Sequence, residues 1–250
     1  MDEGAGTRTL LCELHAHTAW SDGQLALGEL VDLCGRAGLD VLCVSDHVLR
    51  SDDPWRRATA SIQEGTFAAY VAALDREAER ARALYGMLVV PGLELTHNHD
   101  DPDLSAHAVA VGLREFVSPD VGLVGALLSA REAGAAVVAA HPHGPHGASA
   151  RPRATRRFWR EWDSLAPLLD RVELMNGPDL YGWVAGGEVP AVASSDLHRR
   201  EDLSSWKTLL PCAQDEEALV AYLRSPRSAY LLPFRADPAP APAAEPAAAA

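Results

Sequence analysis

The chain has 250 residues, 48% hydrophobic and 23% charged, enough to bury the core of one large α/β domain without staples. Lys and Arg number 22 against 35 Asp and Glu, a net charge of −13. That balance argues against non-specific binding of duplex nucleic acid, which depends on neutralising phosphates; it does not exclude a small anionic substrate, because bound metal ions reverse the local field.

Residues 1–6 read as a disordered leader, and a strand is predicted over 8–15. Leu27, Leu30, Val31 and Cys34 share one face of a helix over 28–37, with Gly38 as its stop. The continuous apolar run 39–45 predicts a strand covered on both faces. Residues 50–64 are polar and irregular, long enough for a loop over a site. A helix is expected over 66–85, then strands over 87–94 and 106–112, the first with Pro91-Gly92 near its end. A helix over 123–133 stops at Gly134, and 135–140 is the next strand. A helix follows over 158–169, then strands over 172–175 and 191–194. The helix over 215–224 has an acidic first turn that suits its dipole, and 228–232 is the last strand. After Arg235 the Pro/Ala repetition of 236–250 reads as a disordered tail, which leaves a single domain over 7–235.

Strands alternating with helices predict parallel strands and right-handed crossovers, with roughly seven strands in a barrel or strongly curved sheet. In such a barrel the C-terminal strand ends form the active face. The nucleotide-fold signals G-x-G-x-x-G and G-x-x-x-x-G-K-[ST] are missing. Cys12, Cys34, Cys43 and Cys212 form no C-x-x-C pair and read as buried free thiols of a reducing compartment. Neither a signal peptide nor an apolar span of membrane length stands out, so a cytoplasmic, soluble protein is expected.

Metal-type side chains fall where these strands end. His15 and His17, two apart on an extended strand, project to one side, where one cation could take both imidazoles. Asp22 lies in the turn-like Ser21-Asp22-Gly23. Asp46 and His47 follow the apolar run Val41-Leu42-Cys43-Val44. Strand neighbours point to opposite faces, so His47 is assigned as the direct ligand and Asp46 as a partner that orients an imidazole. Glu94 follows Pro-Gly-Leu and is long enough to bridge two cations. His107 begins an apolar strand, where a capping or core role is the ordinary alternative. His141 ends another, and Pro142 biases it toward an extended backbone. His143 fits a ligand, a phosphate contact or an exposed residue, and His146 a loop. Asp196 and His198 repeat the i, i+2 spacing. Each residue alone has an ordinary explanation, but five strand ends carrying such side chains would be an odd coincidence in a structural protein.

In this order the motifs His15-Ala-His17-Thr, Ser21-Asp22-Gly23, Ser45-Asp46-His47, Gly92-Leu-Glu94, His107, Ala140-His141-Pro142 and Asp196-Leu-His198 resemble the PHP (polymerase and histidinol phosphatase) superfamily. The resemblance covers residues 10–200. It implies a distorted (β/α)7 TIM-like barrel holding two or three divalent metal ions, Mn, Zn or Fe, with Mg also admissible. It assigns His15, His17, Glu94 and Asp196 to one cation and Asp22, His47 and His198 to a second. Glu94, His107 and His141 take a third, with Glu94 bridging. Some members carry His where this chain has Asp22, and a carboxylate there makes Mn, Fe or Mg as arguable as Zn. The pattern is similar to small stand-alone bacterial PHP phosphoesterases acting on nucleotides or similar phosphates. It implies in-line attack by a hydroxide bridging two cations, with Asp196 and His198 as candidates to manage protons.

His143, Arg50 and Arg199 are candidates for binding the substrate phosphate, with Arg156, Arg157 and Arg200 behind them. Trp159, Trp162, Tyr181 and Trp183 fit either base stacking or the core. Monoesters and diesters both fit. The rival readings are metal-dependent hydrolysis of a carbon centre, such as a lactone or amide, and a non-catalytic, metal-stabilised accessory domain.

Overall fold

The computed structural model describes residues 8–145 and 155–236. The expected leader, His146 and the tail beyond Ala236 lie outside the described residues.

The chain runs β1 (Thr9–Glu13), α1 (Leu27–Arg36), β2 (Val41–Val44), β3 (His47–Leu49), α2 (Glu64–Tyr85), β4 (Leu88–His97), β5 (Ala106–Val111), α3 (Gly122–Glu132) and β6 (Ala136–Ala140). It continues with α4 (Arg157–Arg160), α5 (Trp162–Leu165), β7 (Arg171–Asn176), β8 (Asp179–Leu180), β9 (Ala191–Ser194), β10 (Trp206–Pro211), α6 (Glu216–Leu223) and β11 (Tyr230–Pro233). β2, β4, β5 and β6 are buried along their whole length, as strands covered on both faces must be. The buried stripe of α1 is Leu27, Leu30, Val31 and Cys34. Gly86 ends α2 in the left-handed conformation (φ 64°), which a residue without Cβ adopts at little cost.

The strands form one mixed sheet in the order β11-β10-β1-β2-β4-β5-β6-β7-β8, with β3 beside β4 and β9 beside β7. The sheet curls. Beyond β1 and β9, His17 N–H donates to Leu197 O at 2.8 Å and Leu197 N–H to His15 O at 3.1 Å, closing a parallel bridge between Ala16 and Leu197. The two ligand-bearing stretches 15–17 and 196–198 therefore lie side by side.

Three features depart from the expectation of parallel strands with a helix between each. β5 runs antiparallel to both β4 and β6. Its link from β4 holds only a 3-10 turn, Pro102–Leu104, and such a short link suits an antiparallel pair. β10 pairs antiparallel with β1 and was not expected, because the buried Lys207 interrupts its apolar pattern. The helix expected over 158–169 is broken into α4, α5 and a 3-10 turn, Ala166–Leu168. Glu161 leaves helical geometry (φ −113°, ψ 27°), and Pro167 lacks the amide donor a continuous helix would use.

One apolar cluster fills the space between the sheet and α1, α2 and α3, around Leu30, Leu42, Tyr70, Leu93 and Leu127. A second, with Val90, Val109 and Val138, lies on the other face and is closed by Leu219 and Leu223 of α6. Glu94 follows Val90 by four residues and His107 precedes Val109 by two. By the two-residue strand period, both share the face of that second cluster. The polar site continues this apolar interior at its other end.

Candidate metal centre

His15 and His17 converge as their spacing predicts, with Nε2 atoms 3.0 Å apart and both buried. Asp196 Oδ1 lies 3.2 Å from His15 Nε2 and 3.1 Å from His17 Nε2. Glu94 Oε2 lies 3.5 and 3.4 Å from the same two nitrogens and 2.8 Å from His47 Nδ1. Its other oxygen, Oε1, is 3.0 Å from His107 Nδ1 and 3.1 Å from His141 Nε2. Asp22 Oδ1 stands at the outer side, 3.2 Å from His198 Nε2 and 3.5 Å from His47 Nε2. Gly23 allows this approach, because a Cβ there would fall 2.5 Å from the carbonyl carbon and oxygen of His17.

Three overlapping groups of donor atoms result: His17, Asp22, His47 and His198; His15, His17 and Asp196; and His15, Glu94 and His141. Eight of the nine residues expected to hold a metal fall in these groups, and His107 stands outside them, beside Glu94 Oε1. The grouping differs from the expected division in three respects, the first being that Glu94 is not in the group of His15, His17 and Asp196. His17 also joins Asp22, His47 and His198, and His15 rather than His107 joins Glu94 and His141.

The residues fit a cation. Donors arranged tetrahedrally at about 2.0–2.1 Å from a metal lie roughly 3.3 Å apart, close to the separations here. Glu94 Oε2 is fully buried and accepts no hydrogen bond, an expensive state for a carboxylate oxygen without a cation. His141 (φ 31°) and Asp196 (φ 54°) are the non-glycine residues with positive φ among the described residues, and strain of this kind concentrates at functional sites.

Each imidazole is held by one nitrogen. His15 Nδ1 donates to Glu173 Oε1 at 3.0 Å. The Thr96 hydroxyl gives its hydrogen to Glu94 O, so it accepts from His47 Nδ1 at 2.7 Å. The Thr155 hydroxyl gives its hydrogen to His141 O and accepts from His141 Nδ1 at 3.2 Å. His107 Nε2 donates to Asn98 Oδ1 at 3.0 Å, and His198 Nδ1 to Asp196 O at 2.9 Å. In the neutral ring the opposite nitrogen then carries the lone pair and faces the cluster, the state a metal requires.

Charge follows the same geometry. Burial alone would raise the Glu94 carboxyl, but His47, His15 and His107 hold it well below the usual range. Burial, reinforced by His198 and His47, lowers His17 to about 3. Burial also lowers His107 to about 4, against the pull of Glu94. At His198 burial opposes the charge, but Asp196 and Asp22 raise the imidazole to about 8. Asp22 is held low by His198 and His47 despite its burial.

The sequence matches no protein-family model and no curated protein. Solved structures do match. A two-domain protein containing a predicted PHP-like metal-dependent phosphoesterase, from Bacteroides vulgatus ATCC 8482, is 22% identical with a TM-score of 0.64. The match covers 90% of this chain and 66% of that one, so the chain spans less than two thirds of that two-domain protein. The chain shares its fold with that protein. PsfC from Pseudomonas syringae PB-5123 is 15% identical with a TM-score of 0.51, over 90% of this chain and 91% of that one.

Around the centre, Asp46 touches no imidazole directly. Its carboxylate accepts from Thr18 N at 2.8 Å, Thr18 Oγ1 at 2.7 Å and Ser21 Oγ at 2.6 Å, and Ser21 Oγ lies 3.5 Å from His17 Nδ1. It shapes the 17–23 turn and reaches His17 through Ser21. His143 is buried, with Nδ1 at Thr155 and its ring edge-on to Tyr181 at 5.2 Å. Four of the five candidate arginines are engaged by carboxylates: Arg50 by Asp52, Arg156 by Asp103, Arg157 by Glu161 and Arg199 by Asp202. Trp162 and Trp183 pack edge-to-face and Trp159 is exposed. A cleft of about 1070 Å³ opens beside the centre, bordered by Asp22, Asp196, His198, Trp206 and Phe234.

Sequence reasoning missed Glu13 and Glu173. Both are buried; Glu13 follows the short run Leu10-Leu11-Cys12 at the end of β1, and Glu173 stands between Val172 and Leu174 inside β7. Glu13 Oε1 accepts from His15 N and Ser195 N at 3.1 Å each, and Oε2 lies 3.0 Å from Lys207 Nζ. The available signal was a carboxylate inside a strand whose neighbours are apolar.

Proposed function

We propose that the chain is a PHP superfamily hydrolase, a metal-dependent phosphoesterase that cleaves a small phosphate ester, a nucleotide or a similar mono- or diester. Two or three divalent cations would sit at the end of a distorted seven-stranded barrel formed by β1, β2, β4, β5, β6, β7 and β9. The observation that carries this reading is the set of three overlapping donor groups at one end of the curled sheet. The likeness in fold to a PHP-like phosphoesterase structure supports it.

The charge of the site favours more than one cation. Asp22, Glu94, Asp196, Glu173 and Asp46 surround the cluster, while the nearby buried Lys207 is paired with Glu13. Without metal, protons on His15 and His47 offset part of this charge. Burial opposes those protons, but the carboxylates outweigh it and raise both imidazoles. Divalent cations displace such protons on binding.

Bound cations would supply Lewis acidity, lowering the pKa of water and neutralising charge on the phosphoryl oxygens. The chain's own residues do the positioning. Asp196 turns Oδ1 to His15 and His17, with Oδ2 3.9 Å from His141 Nε2, and is one candidate for managing a proton at the reacting group. His198, partly exposed at the cleft, is the second candidate for moving a proton. A cytoplasmic location suits the four buried free cysteines.

The test is phosphate or phenolate release by purified protein loaded with Mn2+ or Zn2+. The substrates are para-nitrophenyl phosphate, its bis ester and a nucleotide panel. Turnover of at least one, abolished by a chelator, is expected; metal-loaded protein inert toward all of them overturns the reading.

A further inference from the structure

Glu173 is a buried carboxylate that belongs to none of the three donor groups, yet it touches two members of one of them. Its Oε1 accepts from His15 Nδ1 at 3.0 Å and from the Ser194 hydroxyl. Its Oε2 accepts from the backbone N–H of His141 at 2.6 Å and from Asn176 Nδ2 at 2.6 Å. All four partners are donors here, so only an acceptor-only group fits: an ionised carboxylate satisfies them, and an amide would set its own NH2 against two of them. The two contacts do different work. The bond to His15 fixes the ring with Nε2 toward the cluster. The bond to His141 holds a backbone in the left-handed region, which a histidine adopts only under constraint.

We infer that Glu173 is the positioning residue for one particular cation, the one held by His15, Glu94 and His141. The inference rests on the metal-site reading above. Glu173 ties the end of β1 to the end of β6 from beneath and so sets the distance between two of that cation's three donors. In the group of His17, Asp22, His47 and His198 it contacts no member through any of these bonds. His15 also belongs to the group with His17 and Asp196, so removal of Glu173 should act on metal held through His15, most of all where His141 is the second donor, and spare the cation held by Asp22, His47 and His198.

The experiment is Mn2+ titration of the full chain by calorimetry, with bound metal counted by plasma mass spectrometry, for wild type, Glu173→Gln, Asp22→Asn and the double variant. Glu173→Gln should weaken one class of site by about 10–100-fold, the range for residues that orient metal ligands, and leave the other within error. Asp22→Asn should weaken the complementary class, and the double variant should show both losses. If Glu173→Gln does not fold by circular dichroism, Glu173→Asp keeps the charge but withdraws it by one methylene, and must show the same selective loss. Unchanged affinities in a folded Glu173 variant, or equal weakening of both classes, would overturn the inference while leaving the metal reading intact. A wild-type chain that binds no Mn2+ would overturn the metal reading, and this inference with it.

Discussion

His15 and His17 face each other nitrogen to nitrogen, their Nε2 atoms 3.0 Å apart. The carboxylate of Glu173 takes the Nδ1 hydrogen of His15, so in the neutral ring Nε2 carries a lone pair. That lone pair points at the other imidazole and at carboxylate oxygens 3.2 and 3.5 Å away. Without a cation, such electron-rich atoms repel unless protons separate them. With one, the same separations are those of neighbouring donors.

Removing a donor from this pair should therefore remove metal before it disturbs the fold. His15→Ala and Asp196→Ala are each expected to lose at least one metal equivalent and to reduce phosphate release by about a hundredfold or more, comparable with removal of other parts of catalytic machinery. Metal analysis and a phosphate assay on the same sample check this. Full metal content with full activity in either variant would refute the site assignment.

Chelation should lower thermal stability, because the cations bind the folded arrangement of donors drawn from distant parts of the chain. A metal at a hundred times its Kd stabilises by about 2.7 kcal/mol. In a domain of this size that corresponds to a Tm shift of about 5–10 °C. Differential scanning fluorimetry with and without a chelator measures it, and re-addition of Mn2+ or Zn2+ should restore the original value. A Tm indifferent to chelator and metal would contradict a buried, high-affinity centre.

The direct donors were legible because the sequence marks them locally. An apolar run that stops at His, Asp or Glu needs no knowledge of what lies across the sheet. Residues that act across strands carry no such mark. Glu173 and Lys207 look like charges that break a strand pattern, and only the curl of the sheet shows why they are buried. The direction of β5 was hidden for a related reason. An apolar strand reads the same in either direction, and the short 98–105 link, without a helix, decided it. The continuous helix over 158–169 failed because helical composition does not register the local turn at Glu161.

His97 makes a pH prediction separate from the metal donors. It is buried, and burial, helped by Arg50 and His107, lowers its imidazole to about 3. The unfolded chain, with an ordinary value of about 6.5, takes up the proton first as pH falls. Stability from a neutral His97 is therefore complete above about pH 6.5 and is lost as pH drops toward the folded value. Between about pH 7 and pH 5 wild type should lose about 2 kcal/mol more than His97→Gln, both measured by urea unfolding in excess chelator. Parallel pH profiles would show that His97 is not held neutral.

Glu13 and Lys207 test whether the layer beneath the centre is an ion pair. Both side chains are fully buried, 3.0 Å apart, and Lys207 Nζ also donates to Ser195 Oγ and Leu203 O at 2.9 Å each. Lys207→Met removes the cation but keeps the volume and strands Glu13 in the interior. The expected loss is about 3–5 kcal/mol, as for breaking a buried pair from one side. Glu13→Gln combined with Lys207→Met removes both charges and should recover part of that loss, because the uncompensated carboxylate caused it. Recovery should be incomplete, since the Gln amide replaces one acceptor among the His15 and Ser195 donors that Glu13 now satisfies. Denaturant unfolding of the two single variants and the double variant gives the coupling directly. Additive losses would mean that the two groups do not interact and that Glu13 holds His15 and Ser195 without help from Lys207.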